Sequence, residues 1–154
     1  MCDSSKPAKA NQTAIDDKAL IRAALAARQF AWAPYSGFMV GAAVQTTGGK
    51  IYTGCNIENA AYSPTNCGER TAIFKAVSEG EREFSAIAIV GGPRDCNQLA
   101  YAYPCGVCRQ VMMEFCSPKD FRIIVAATEE DYNVHSLEAL LPNGFGPANL
   151  QHTD

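Results

Sequence analysis

Ala86-Ile87-Ala88-Ile89-Val90, closed by Gly91-Gly92-Pro93, is the stretch from which the fold is read. An unbroken apolar run of strand length, bounded by turn residues, suits a strand covered on both faces and central in a sheet. Upstream, residues 67–79 read as a helix with Ile73, Phe74 and Val77 as its buried stripe and Gly80 as its stop. Before that, residues 38–45 and 50–55 are strand-like runs joined across Thr47-Gly48-Gly49, a hairpin signal. Residues 15–30, with Ile21 and Leu25 four apart, read as a helix capped by Asn11 or Thr13 and stopped by Pro34. Downstream, residues 94–103 are irregular. A helix over 105–115 carries Val107, Val111 and Phe115 on one face, residues 122–127 form an apolar strand, 132–134 a short one, and 136–141 a short helix. This alternation predicts an α/β fold, a three-layer α/β/α sandwich around a central mixed sheet of about five strands.

A chain of 154 residues, 47% apolar and 19% charged, is long enough for one globular domain without disulfide staples. The expected organisation is a tail over 1–14, a single domain over 15–150 and a short tail over 151–154. Residues 1–14 have neither the apolar core of a signal peptide nor a membrane-spanning run, so a cytoplasmic location without a membrane partner is expected. The formal net charge of -3, with no basic run, disfavours nucleic acid as a partner, because gripping phosphates takes clustered Lys and Arg. Seven cysteines in a reducing compartment point to metal binding, catalysis or buried thiols before disulfides.

Pro104-Cys105-Gly106-Val107-Cys108 places two thiols at a helix start with a spacing that lets both sulfurs meet one Zn²⁺ at about 2.3 Å. By itself the pair also fits a redox dithiol or half of a structural zinc knuckle. Cys67-Gly68-Glu69 opens another helix. Within a continuous helix, residues two apart point about 200° away from each other. Cys67 must therefore stand at or just before the cap for its sulfur to bind metal while the Glu69 carboxylate folds over an open coordination position. Three ligands plus water describe a catalytic site. Three thiolates would leave the ion with net negative charge, so positive potential is required nearby. The two helix N-termini supply part of it, and Arg70 and Arg109 stand where they could donate to the thiolates.

Cys-x-Glu followed by Pro-Cys-x-x-Cys resembles the zinc nucleoside and nucleobase deaminases, a signature described for that class. Further matches narrow the resemblance to the small homotetrameric cytidine deaminases. They are Pro34-Tyr35-Ser36 with Phe38, Val40-Gly41-Ala42-Ala43, Asn56-Ile57-Glu58-Asn59-Ala60, Cys108-Arg109-Gln110, and Leu140-Leu141-Pro142 with Phe145-Gly146-Pro147. They span residues 20–150 in the family's order. The resemblance implies one Zn²⁺ per subunit on Cys67, Cys105 and Cys108, and Glu69 moving protons between water, N3 of the base and the departing amino group. It implies that Asn56 and Glu58 hold the ribose 3′-hydroxyl, that Phe38 packs on the pyrimidine, that the Gly68 amide reaches the base carbonyl, and that Phe145 comes from a neighbouring subunit. The implied reaction is hydrolysis of cytidine and deoxycytidine to uridine and deoxyuridine with loss of ammonia, in pyrimidine salvage, by a homotetramer with shared active sites.

Two positions depart from the family pattern, which usually has alanine at Gly68 and an apolar residue at Asn66. Asn66 is expected to cap the helix or to line the pocket. His135 and His152 lack ligand-like spacing and are expected at the surface, while Cys2, Cys55, Cys96 and Cys116 read as tail or buried thiols. Two other readings remain open here. One is a same-fold deaminase of another aminonucleoside, such as a nucleoside antibiotic. The other is a non-enzymatic zinc domain in which Cys55 or Cys96 completes a closed four-cysteine site.

Overall fold

The apolar run extends further than its sequence limits suggest: Phe84–Pro93 forms one strand, buried at every position except Pro93. The structure, a computed structural model, describes residues 14–96 and 98–150. In chain order the elements are α1 (Asp17–Arg28), β1 (Phe38–Thr46), β2 (Ile51–Cys55), α2 (Gly68–Ser78), β3 (Phe84–Pro93), α3 (Gly106–Phe115), β4 (Arg122–Ala126), β5 (Tyr132–Ser136) and α4 (Leu137–Leu140), with a 3-10 turn at Pro147–Asn149. The five strands form one mixed sheet in the order β2-β1-β3-β4-β5, with β3 at its centre. Only β3 and β4 pair in parallel; the other neighbours are antiparallel.

Period-two alternation explains how the central strands serve two layers. Ala43, Ala86, Ala88, Val90, Ile124 and Ala126 face Leu20, Ile21 and Ala24 of α1. The larger Ile87, Ile89, Ile123 and Val125 face Ala72, Ile73 and Ala76 of α2 and Met112 of α3. Small residues on the first face let α1 lie close. At Gly41 a Cβ would fall 2.0 Å from the Ala24 carbonyl oxygen, and at Gly54 it would fall 2.4 Å from the Ala72 amide nitrogen. Both helices thus rest directly on backbone. Buried Arg28 ties the end of α1 to the site edge of the sheet, donating to the carbonyls of Met39, Gly92 and Pro93 at 3.0, 3.0 and 2.7 Å.

The expected three-layer mixed sheet is thus present, and several local expectations are corrected. Asp16, not Asn11 or Thr13, caps α1 through its bond from the Ala19 amide; Asn11 and Thr13 lie outside the described residues, as do the terminal segments 1–13 and 151–154. α1 also ends at Arg28, well before Pro34. In α2, Phe74 is 44% exposed and the buried stripe runs through Ala72, Ile73 and Ala76. In α3, Val107 is 57% exposed, and Cys108 and Met112 are the buried face. Apolar periodicity places Phe74 and Val107 inward, whereas the small Ala72 and Ala76 in α2 and the cluster residue Cys108 in α3 occupy those faces.

Replacing Gly41 by Ala is expected to destabilise the fold by about 1–3 kcal/mol or more, because backbone rather than a flexible side chain must move. Gly48→Ala, where a new Cβ would meet only the Thr46 hydroxyl at 3.8 Å, should stay within about 0.5 kcal/mol. Urea unfolding of both variants beside the parent chain measures the contrast.

Candidate active site

The starts of β1, α2 and α3 and the ends of β2 and β3 meet at one edge of the sheet, because β1 runs antiparallel to both β2 and β3. A cavity of about 330 Å³ opens there, with Phe38, Val40, Asn56, Cys67, Glu69 and Cys105 in its wall. Cys67 and Cys105 are the N-cap residues of α2 and α3, with nearly the same extended backbone, φ -75° and ψ 157° against φ -66° and ψ 167°. This is the first-turn placement that the Cys-x-Glu spacing requires. Cys108 follows one turn into α3, and its amide donates to the Cys105 sulfur at 3.4 Å.

The three sulfurs lie within 4.8 Å of one another. Cys67 Sγ is 3.8 Å from Cys105 Sγ, which is 3.5 Å from Cys108 Sγ. Sulfurs bound tetrahedrally to zinc at about 2.3 Å stand about 3.8 Å apart, so the cluster fits that ion. Cys55 and Cys96 are not members of it, and the Cys96 thiol donates to the Gln98 carbonyl, which removes the closed four-cysteine arrangement. Among the described residues this is the group of at least three ligands able to hold a metal, and Cys67, Cys105 and Glu69 line the cavity beside it.

Charge within the cluster is uneven. A hydrogen bond from the Cys108 thiol pulls Cys67 down to about 5, against its burial and with help from Arg70, while the same bond and burial drive Cys108 up. A divalent cation that binds here would displace the remaining thiol protons and take all three sulfurs as thiolate ligands. Arg70 Nη2 reaches Cys67 Sγ at 3.6 Å and the Thr65 carbonyl at 3.3 Å, and its buried Nε has no hydrogen-bond partner. Arg109 does not donate to the sulfurs as expected. Its Nε and Nη1 bond the carbonyls of Pro104 and Leu140 at 2.8 and 2.7 Å, bracing the approach to α3 against α4. Glu69 is buried on the first turn of α2, and desolvation, with the neighbouring Cys67 charge adding to it, pushes its carboxyl up to about 7. That is the range suited to exchanging a proton with substrate.

The remaining residues divide between two hollows. Phe38 stands in the cavity wall, and its ring edge would be 3.0 Å from a Cβ at Gly91, so that glycine makes room for it. Asn56 also lines the cavity. Its Oδ1 accepts from the Val40 amide and its Nδ2 donates to the Phe38 carbonyl, both at 2.8 Å, leaving one N–H and one lone pair for another partner. Glu58 lies outside this cavity, in an adjoining hollow of about 410 Å³ with Tyr35, Ser36 and Tyr62, and Thr65 borders both spaces. The Ser36 hydroxyl and the Tyr35 and Ser36 amides donate to Glu58, led by the hydroxyl, and hold its carboxyl below the usual range. Gly68 is the buried first residue of α2, where amides lack intrahelical acceptors. Phe145 is 58% exposed and reaches neither hollow; its carbonyl accepts from Gln110 Nε2 at 2.9 Å.

Three features escaped the sequence reading. Tyr103 and Ala102, at the end of the unassigned 94–103 stretch, line the cavity. His135 is not a plain surface residue: its ring lies 5.6 Å from that of Tyr103 and its Nε2 is buried. Ser36, part of the Pro34-Tyr35-Ser36 motif in sequence, holds Glu58 through its hydroxyl and amide in the fold. Nearness to Pro104-Cys105 was the available signal for Tyr103, whereas nothing in the sequence linked His135 to it. His152 lies outside the described residues.

Residues 14–125 match the family of the cytidine and deoxycytidylate deaminase zinc-binding region. A cytidine deaminase of Sporosarcina psychrophila is 44% identical over 141 residues, covering 90% of this chain and 97% of its own length. The crystal structure of the cytidine deaminase from Burkholderia pseudomallei superposes with a TM-score of 0.77 at 47% identity, covering 85% of this chain and 100% of that one. The cytidine deaminase of Mycobacterium tuberculosis does so with a TM-score of 0.73 at 34% identity, over 86% and 99%.

Cys108→Ala is expected to abolish stoichiometric zinc, because the remaining pair of sulfurs cannot form the three-ligand site. Elemental analysis of the purified variant measures this, and Cys116→Ala, which removes a buried thiol outside the cluster, should keep its zinc.

Proposed function

The chain belongs to the cytidine and deoxycytidylate deaminase zinc-binding family, and from that premise we propose how its residues carry out the hydrolytic deamination of cytidine. The enzyme is a zinc-dependent hydrolase that acts on the C4–N bond of the cytosine ring and releases ammonia, and its place in pyrimidine salvage follows from the family. The observation that carries the site assignment is the meeting of three cysteine sulfurs and one buried carboxylate at a single cavity. Zinc on Cys67, Cys105 and Cys108 supplies a Lewis acid that brings the pKa of water from far above neutrality to about 7.

Glu69 accepts the proton of the attacking water and passes it to N3 of the ring, which prepares C4 for addition. The same carboxylate then takes the proton of the new C4 hydroxyl as the carbonyl forms and gives it to the departing amino group, so that cytidine and water become uridine and ammonia. Phe38 offers an aromatic face to the base. Asn56, with its spare N–H and lone pair, and ionised Glu58 beyond Thr65 suit a hydroxyl-bearing sugar, since together they can donate to it and accept from it. The Gly68 amide, free of an intrahelical acceptor, suits the base carbonyl. Arg70 offsets the negative charge of the sulfurs, with Arg109 adding charge at longer range.

Phe145, exposed on the isolated chain, serves the site of a neighbouring copy in a homotetramer. The net charge of -3 speaks against nucleic acid as a partner. Among the described residues no helix is long and apolar enough to cross a membrane; the cytoplasm is the proposed compartment.

Ammonia release from cytidine, deoxycytidine and cytosine, with and without a zinc chelator, tests the reading. Both nucleosides should turn over and the chelator should stop the reaction, whereas preferential turnover of a non-ribosyl substrate would reject the sugar assignments. Glu69→Gln should retain zinc while kcat falls by about 10²–10⁴-fold or more; full activity in that zinc-loaded variant would reject Glu69 as the proton carrier.

A further inference from the structure

Asn66, immediately before the first ligand cysteine, is tied through both ends of its backbone to Ile57. Its N–H donates to the Ile57 carbonyl and its own carbonyl accepts from the Ile57 amide, each at 2.9 Å. Of its two expected places Asn66 takes the second: it lines the cavity, and its side chain does not cap α2, since Cys67 occupies the N-cap. Instead Asn66 Nδ2 donates to Thr71 Oγ1 at 3.1 Å, and that hydroxyl lies 3.1 Å from the Cys67 carbonyl oxygen. Donor counting fixes the direction of this chain. A carbonyl can only accept and a hydroxyl has one proton, so Thr71 gives its proton to Cys67 and must receive one from Asn66. The amide group of Asn66 is thereby oriented by chemistry, with its NH₂ toward Thr71.

The consequence is geometric. The Cys67 carbonyl receives two bonds from Thr71, one from the hydroxyl and one from the amide at 3.0 Å. On the other side of the Cys67 Cα, the Asn66 carbonyl is held by Ile57. Both peptide planes flanking Cys67 are therefore anchored, and those planes set its φ and ψ and hence the direction of the Cα–Cβ bond on which the sulfur is carried. We propose that Asn66 and Thr71 form a positioning relay that aims the Cys67 sulfur at the metal. Neither is a ligand or a catalytic residue; they act through Cys67, as outer hydrogen-bond partners orient metal ligands generally. The proposal rests on the zinc reading of Cys67, Cys105 and Cys108.

Zinc release from the loaded protein into an excess of a chromogenic pyridylazo chelator tests it, with the thiolate-to-cobalt charge-transfer band of the Co²⁺-substituted protein as a second readout. Thr71→Val, which removes the hydroxyl and keeps the shape, should release zinc about ten-fold faster and shift the band. Asn66→Ala should also release faster, Thr71→Ser should stay within about two-fold of the parent, and the double variant should be no faster than Thr71→Val, because the two residues act in series. Parent-like release and spectrum in Thr71→Val overturn the proposal. So does a Thr71→Ser variant as fast as Thr71→Val, or additive effects in the double variant. If Thr71→Val does not fold, parent-like release from Asn66→Ala overturns it. A parent chain that binds no zinc rejects the metal-site reading itself, and the relay with it.

Discussion

Three sulfurs gathered within 4.8 Å repel one another as thiolates, and the arrangement of the surrounding structure answers that repulsion. Cys67 and Cys105 each cap a helix, so the partial positive charge of two helix starts falls on the cluster. Arg70 adds a full charge at 3.6 Å from Cys67. A divalent cation would complete the compensation, and the cluster offers it three sulfur ligands where a closed structural zinc site has four. Here the helix start which delivers Cys67 to the sulfur cluster also delivers the buried Glu69 carboxylate, so one backbone turn sets both.

That turn must be held to within a fraction of an ångström, and the fold does so by direct contact. α2 lies on β2 at Gly54, where its backbone leaves no space for a Cβ, and α1 lies on β1 at Gly41 in the same way. Beside the Gly41 contact, Arg28 binds three carbonyls at the ends of β1 and β3, which are the strands that carry Phe38, Val40 and Ile89 into the cavity wall. A buried guanidinium satisfied by three backbone acceptors costs less than an unpaired one and is directional, so it works as a brace for the strand ends.

How far all this was legible differs from residue to residue for physical reasons. The central strand could be read because burial on both faces demands an unbroken apolar run, and β3 supplied one. The zinc cluster could be read because coordination restricts both residue type and spacing. The buried faces of α2 and α3 could not, since Phe74 and Val107 are apolar yet exposed, and apolar periodicity does not reveal that a site has claimed one face of a helix. Arg28 and Ser36 were silent because an arginine in a helix and a serine in a turn have the same local appearance whether they face solvent or bind a partner far along the chain. The pairing of His135 with Tyr103 joins residues brought together by β5 and the approach to α3, and only the folded chain expresses that neighbourhood.

Glu69 and Glu58 show how one residue type acquires two tasks from its surroundings. Glu69 is buried beside the sulfurs, and desolvation brings its carboxyl to about 7, while a metal cation alongside would favour its charged form. The opposition of those two influences keeps its proton exchangeable, which is the property demanded of a group that must both take up and give back a proton. Glu58 is half-buried and receives donors from the Ser36 hydroxyl and two amides, which together outweigh its partial burial and favour the ionised state. A carboxylate held charged is a poor proton shuttle and a good acceptor for a hydroxyl. Environment, rather than residue type, therefore separates a carboxyl suited to moving protons from one suited to accepting a hydroxyl. It also explains why the two carboxylates occupy different hollows: placed together, each would raise the other's pKa and blur both roles.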